Sequence, residues 1–335
     1  MWQAWRTLGV LGLSLLVVGC QGSPHLVKRS QMLMGTVVFV TAVGSDQKTA
    51  QQAAGKGLEE IRRLEELLST WISSSELSRV NASAGEDAIS VSSETMDVIS
   101  QSLEMARLTE GGFNIAIGPA VNLWDAGGDG YLPTAAELES VRRYIDLSEV
   151  HIDKQARTIR LGRPGMQIDV GGIGKGFAAD LAAAVMQEAG AIAGVVAISG
   201  DIKTFGRMPD NQKFIFGIQH PRQESGIMLG QIELENEAVS TAGDYQRFFE
   251  KDGVRYHHIL DPVSLQPARG CQSVTVIART GVMADGLDTG IFVMGPEKGM
   301  TLIESLPDVE GVIVDREGRL LISSGLVSRF RIPQP

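Results

Sequence analysis

The segment Asp169-Val170-Gly171-Gly172-Ile173-Gly174-Lys175-Gly176 constrains this chain more than any other stretch. Glycine fills four of its eight positions. The apolar residues before it predict a strand over 166–170, and the alanine-rich residues behind it predict a helix over 177–189. A loop so poor in side chains lets backbone approach a ligand closely. Its amides, with the positive end of the following helix, attract an anion. Lys175 adds a positive charge. The same residues also suit a tight strand-to-helix turn with a solvated Lys175. Two phosphate loops are excluded. Gly176 occupies the Ser/Thr slot of a Walker A loop and Asp169 stands where its first glycine belongs, while Phe177 replaces the last glycine of the dinucleotide fingerprint.

Around this loop the pattern changes from helix to strand. Residues 36–43 are β-branched and predict a strand. Residues 47–70 place Leu58, Ile61, Leu64, Leu67 and Leu68 at helical spacing, and 93–109 do the same with Met96, Ile99, Leu103 and Ala106. Thr134 with Glu137 is a capping box for a short helix through Arg143. After residue 189 the expectation is mostly strand, over 195–199, 213–219, 227–234, 255–260 and 273–279. Helices are expected over 284–294 and 296–305, and closing strands over 312–315, 320–323 and 326–331. No repeat or low-complexity linker interrupts the body. This predicts one α+β domain, with a mostly antiparallel sheet flanked by helices.

Composition excludes several function classes. Thirty basic residues against 40 acidic ones give a formal charge of −10, which argues against nucleic acid as a partner. Two cysteines exclude a disulfide scaffold or a multi-cysteine zinc site. The five histidines include no HExxH pair, and no GxSxG elbow occurs. The N-terminus reads as an address. Arg6 is the one charge before an apolar run, Leu8 to Val18, that is too short to span a bilayer and suits a signal peptide. The run ends in Val17-Val18-Gly19-Cys20, which resembles a bacterial lipobox. Residues 1–19 are therefore expected to be a lipoprotein signal peptide, 20–31 a lipidated Cys20 and tether, and 32–331 the folded domain. Cys271 is left as a lone thiol.

Further sites are weaker alone. In a helix, Asp285 and Thr289 are four residues apart and share a face. A carboxylate and a hydroxyl so placed suit a hard cation such as Mg²⁺, or simply an acidic helix start. His257 and His258 would point to opposite faces of a strand. Ser199-Gly200-Asp201 and Ser240–Tyr245 read as Gly-Asp turns following strands. Trp71 ends the first helix and suits stacking on a flat ring or capping the core.

Together these pieces resemble one family. Met34-Gly35-Thr36, Leu68-Ser69-Thr70-Trp71 with Glu76–Arg79, Gly112–Pro119, Asp169–Gly176, Ser199–Asp201, Ser240–Tyr245, His257–Pro262 and Ala284–Thr289 occur in the order seen in the ApbE family of FAD:protein FMN transferases. The resemblance spans about residues 32 to 326, and eight ordered motifs make it specific. It implies a single ApbE-like, T-fold-related domain with FAD as substrate and Mg²⁺ as cofactor. By motif, Met34, Trp71, Gly112, Phe113, Asn114, Asp169, Lys175 and Ile259 resemble FAD contacts. The Gly172 carbonyl with Asp285 and Thr289 resembles the Mg²⁺ site. His258 is the implied base, preferred to His257, with Asp285 as the other candidate. The chain departs from the family pattern at Asn114, usually Asp, at Ala116, usually Thr, and at Ser199, commonly Gly.

The resemblance implies Mg²⁺-dependent transfer of FMN from FAD to a threonine or serine hydroxyl of another protein, releasing AMP. The implied acceptors are subunits of Na⁺-pumping or electron-transport membrane complexes. The implied location is a lipid-anchored position on the inner membrane, facing the periplasm. Two other readings share the residues: an FAD pyrophosphatase giving FMN and AMP, and a flavin-binding lipoprotein without turnover.

Overall fold

The computed structural model describes residues 24–126, 130–224 and 226–332. The signal-like run and Cys20 lie outside the described residues. The body opens with a hairpin, β1 (His25–Leu33) and β2 (Thr36–Gly44), so the fold begins within the stretch expected to be tether. Asp46 then caps α1 (Gln47–Leu68) by accepting the Thr49 N–H at 2.9 Å, and Leu58, Ile61, Leu64 and Leu68 line the buried face of that helix. Trp71 therefore lies in the turn beyond α1 rather than at its end. An excursion follows: α2 (Glu76–Ala82), β3 (Ile89–Ser90), α3 (Ser93–Leu108), α4 (Gly118–Trp124), α5 (Ala135–Arg142), β4 (Val150–Asp153) and β5 (Thr158–Leu161). Its three strands form a small sheet in the order β3-β5-β4.

The second half returns to the first hairpin. It runs through α6 (Gly174–Glu188), β6 (Ala193–Ile198), β7 (Asp201–Phe205), the hairpin β8 (Phe214–Gln219) and β9 (Met228–Leu234), then β10 (Ala238–Gly243). The hairpin β11 (Phe248–Lys251) and β12 (Val254–His257) precedes β13 (Cys271–Ala278), α7 (Gly281–Met294), α8 (Pro296–Ser305), β14 (Glu310–Asp315) and β15 (Leu320–Ile322). Eight strands join in one sheet, in the order β1-β2-β6-β7-β10-β13-β14-β15, each neighbour antiparallel. The fold is thus α+β with an antiparallel core, as expected.

Alternation along the strands sorts side chains to the two faces. On one face Val274, Val276 and Ile313 join the main core, which α1, α6, α7 and α8 cover in turn. On the other, Val239, Ile277 and Val312 meet Ile218, Ile232 and Leu234 of the β8–β9 hairpin, closed by Leu326 and Phe330. Several expectations change. The helix expected from 284 begins at Gly281, and the strand expected over 255–260 ends at His257. Residues 166–170 form no strand, because the Ile168 N–H donates to the Asn81 side chain and the Asp169 N–H to the Ile115 carbonyl, which leaves no ladder. Residues 326–331 are turns with one bridge, Gln231 to Arg331. The expected turn at Ser240–Gly243 is the strand β10. The helix expected from residue 177 starts at Gly174, inside the glycine segment.

Candidate active site

The glycine segment closes on itself before it becomes helix. The Asp169 carboxylate accepts the Gly171 N–H at 2.6 Å, and the Ile173 and Gly174 amides both donate to the Val170 carbonyl. α6 then begins with no side-chain cap on its N-terminus. Gly176 is glycine for a packing reason, because a Cβ there would stand 2.1 Å from the Gly281 carbonyl oxygen and 2.7 Å from the Asp285 Cβ. The two helices cross at backbone distance, and the crossing sets the Gly176 N–H 2.8 Å from an Asp285 carboxylate oxygen. Gly172 is equally confined: a Cβ would come 3.2 Å from the Phe113 ring and 3.2 Å from Thr289 Oγ1.

Between α6, α7, β7 and β10 lies a cluster of charge. One carboxylate oxygen each from Asp201, Asp285 and Asp288 lie within 4.8 Å of one another, and all three residues are buried. Lys175 Nζ contacts the Asp201 carboxylate and lies 3.9 Å from Asp285 Oδ1. Ser240 Oγ reaches Asp201 and, at 2.5 Å, Asp288 Oδ2, while Thr289 Oγ1 donates to Asp288 Oδ1 at 3.2 Å. One serine hydroxyl has one proton to donate. The second of its two carboxylate contacts therefore needs a proton on a carboxyl group.

The electrostatics agree with that count. Burial and the neighbouring Asp201 push the Asp285 carboxyl above its usual range, against the pull of Lys175 and the Gly176 amide. Burial, Asp285 and Asp201 push Asp288 well above it. Burial opposes the charge on Lys175, but Asp201 and Asp285 hold it firmly protonated. Three buried carboxylates around one lysine leave an excess of negative charge that a divalent cation with oxygen ligands would neutralise. The donor set fits Mg²⁺.

The two histidines have separate surroundings. Buried His257 is fixed within the fold: its Nε2 meets the Ala268 carbonyl at 2.7 Å, its Nδ1 accepts the Ile259 N–H at 3.2 Å, and its ring meets Phe292 edge-on. His258 is only half-buried, with Nδ1 3.2 Å from the Arg247 carbonyl. Desolvation, then Arg247, His257 and, more weakly, Lys175 push its imidazole down to about 4. Burial raises the nearby Asp169 carboxyl, against the pull of Arg247 and the Gly171 amide.

Of the residues singled out from sequence, Gly172, Lys175, Asp285 and Thr289 come together here, with Phe113 against Gly172 and Gly112 against the Gly290 carbonyl of α7. Asn114 caps a 3₁₀ turn, its Oδ1 accepting the Ala116 N–H at 2.8 Å, a bond that asparagine makes as well as aspartate. Ser199 turns from β6 into β7 with φ +58°, a conformation that favours glycine. Ile259 is buried, with its amide on His257 and its carbonyl on Ala268. No described contact joins Met34 or Trp71 to the cluster. The Met34 N–H donates to Glu65 of α1, and the Trp71 side chain is 92% exposed. Sequence reasoning missed Asp201, Ser240 and Asp288. Asp288 was within reach, since it follows Asp285 by three residues on the same helix. Asp201 and Ser240 lie in two of the eight ordered motifs, but a reading of them as turns after strands gives them no role in the site.

Comparison with known proteins is consistent along the chain. The sequence model of the ApbE family matches residues 34–313. The chain is 33% identical over 306 residues to the FAD:protein FMN transferase of Vibrio cholerae, covering 89% of this chain and 90% of that protein. It is 32% identical over 350 residues to the FAD:protein FMN transferase of Treponema pallidum, covering 98% and 96%. The fold is similar to the ApbE protein from Thermotoga maritima, with TM-score 0.83, 30% identity and coverage of 90% of this chain and 98% of that one. It is also similar to the flavin transferase ApbE from Vibrio cholerae, with TM-score 0.80, 30% identity and coverage of 91% and 99%.

Proposed function

Because this chain belongs to the ApbE family, we propose that it is an FAD:protein FMN transferase that works at the Lys175–Asp201–Asp285–Asp288 cluster, moving FMN to a threonine or serine hydroxyl and releasing AMP. The observation that carries this reading is the excess of buried carboxylate around Lys175, at the N-terminal end of α6. Such a place is adverse to an isolated protein and suited to a cation shared with a pyrophosphate. Asp285, Thr289 and the Gly172 carbonyl would hold Mg²⁺, with Asp288 and Asp201 completing the charge. When bound, the ion would neutralise pyrophosphate oxygens and the departing AMP.

The chain's own groups do the rest. Lys175, beside the positive end of α6, holds phosphate oxygens and offsets the charge that develops during phosphoryl transfer. His258 is the base. Its Nδ1–H donates to the Arg247 carbonyl, which leaves Nε2 as the acceptor, and its low pKa keeps the imidazole neutral. The acceptor's Oγ–P bond forms as the pyrophosphate P–O bond breaks. The hydroxyl proton passes to His258 Nε2 and AMP leaves. His257, with both ring nitrogens engaged inside the fold, positions the segment. The apolar run ending at Cys20 supports a lipid anchor facing the periplasm, where extracytoplasmic domains of membrane redox complexes would be the acceptors.

The test is to mix the mature chain with FAD, Mg²⁺ and candidate acceptor domains. Flavin fluorescence that stays on an acceptor through denaturing electrophoresis is the expected result. Free FMN and AMP without any labelled acceptor would replace this reading with FAD hydrolysis. No turnover of either kind would leave only flavin binding.

A further inference from the structure

Beside His257 lies a polar cavity of about 510 Å³. Arg222, Arg255, Arg269 and Arg316 line it with His257 and Gln272, and Asp244 is its one lining carboxylate. This concentration of positive charge stands on a chain of formal charge −10. None of its lining residues belongs to the Lys175–Asp201–Asp285–Asp288 cluster. His257 feels Asp244, Arg269 and Arg255, and His258 feels Arg247, His257 and Lys175, so the two histidines link the neighbourhoods electrostatically.

The arginines are held in place, and two of them are paired. Asp244 grips Arg222 through two bonds of 2.6 Å and stands 3.7 Å from Arg255, which also bonds Glu250 at 3.2 Å. Arg255 lies 4.0 Å over the Phe248 ring, and Arg269 lies 5.5 Å over the Tyr256 ring while donating to the Arg255 carbonyl at 2.7 Å. Among the described residues Arg269 makes no ion pair, and Arg316, 72% exposed, reaches only Glu317 at 3.7 Å. Each guanidinium has five N–H donors in a planar fork. Most of these are unspent around a concave space, and forks of this kind match the oxygens of a phosphoryl group.

We propose that this cavity binds a phosphoryl dianion, either inorganic phosphate or the terminal group of an organic phosphomonoester. The proposal does not depend on the flavin reading. Titration calorimetry of the mature chain, in low-salt buffer free of divalent ions, tests it with inorganic phosphate, glycerol phosphate and citrate. Saturable binding of phosphate is expected, with tighter binding of glycerol phosphate pointing to the organic source and equal binding to the phosphoryl group alone. The double variant Arg269→Gln/Arg316→Gln alters two exposed side chains and is expected to fold, with an unchanged melting temperature as the check. It should weaken binding roughly tenfold or more, Arg269→Lys should recover part of the loss, and Lys175→Gln should leave the affinity within about twofold. The idea is overturned by no saturable binding to the wild type, by an unchanged affinity in the folded double variant, by loss in Lys175→Gln alone, or by citrate binding as tightly as phosphate.

Discussion

Two charged regions of this molecule treat charge in opposite ways. The carboxylate cluster is buried and like-signed: Asp201, Asp285 and Asp288 are each at most 4% exposed and share one lysine. The arginine cavity is open, and its one acid holds two of its four cations. Burial makes the first region intolerant of its own charge, so protons settle on its carboxyls. Solvent makes the second tolerant, so its guanidinium groups stay charged without full pairing. The first region needs a ligand to be comfortable, while the second merely accommodates one.

The largest expected effect follows from removing charge where it is least tolerated. Asp285→Asn should lower flavin transfer by roughly 10³-fold, the several kcal/mol that a metal supplies, measured as labelled acceptor formed per minute. The same contrast predicts that Asp288→Asn raises the stability of the metal-free protein, by on the order of 1 kcal/mol, because it removes one repelling carboxylate and lets Ser240 donate to Asp201 alone. A lower urea midpoint for metal-free Asp288→Asn would show that the carboxylates do not repel one another as described.

The helix crossing that builds the cluster is the next most sensitive part. Gly176→Ala must separate α6 from Gly281 of α7, since the new methyl group has 2.1 Å where it needs a van der Waals contact. Overpacking of this kind costs about 1–3 kcal/mol. Denaturant unfolding should report it, together with weaker Mg²⁺ binding as Asp285 moves off the Gly176 amide. An unchanged midpoint would mean that the crossing relaxes freely and does not define the site.

Much of this molecule is legible in its sequence, and what is not has a common cause. Periodicity finds α1, α3 and α8 to within two residues, because their apolar stripes meet one core. Motif order finds Lys175, Asp285, Thr289 and Gly172, because chemistry on one loop and one helix turn leaves a local trace. Asp201 and Ser240 sit in recognisable motifs, but their role in the site is not legible, since each joins it through strand pairing between distant segments. The strand expected over 166–170 fails for a related reason. Its apolar residues are buried as a strand's would be, but Asn81, 87 positions away from Ile168, takes the hydrogen bonds that a neighbouring strand would have taken. The arginine cavity is equally invisible, assembled from the β8–β9 connection, β12 and the ends of β13 and β14.

Removing the one acid from the open region should matter less than any change in the buried one. Asp244→Asn leaves Arg222 without its acid, while Arg255 keeps Glu250. Both guanidiniums reach water, so the loss in stability should be about 1 kcal/mol or less and should shrink further in high salt. A loss of several kcal/mol, insensitive to salt, would mean that the cavity is as closed as the carboxylate cluster.

The smallest effect concerns His258. Its imidazole is pushed down to about 4, by desolvation first and then by the cations around it. An unfolded histidine takes its proton near 6.5. Between these values the unfolded chain binds more protons than the native one at this position, so the stability contributed here rises with pH across that window and is fully present above it. Acidification from pH 7 to 5 should therefore lower the melting temperature of the wild type more than that of His258→Gln. The side-chain NMR signals of His258 should move with a midpoint near 4, and a midpoint near 6.5 would mean that the imidazole faces bulk water and feels neither Arg247 nor Lys175. Arg247→Gln removes the nearest of those cations, so it should move the midpoint upward, and Lys175→Gln should do the same by less, in the order of their influence.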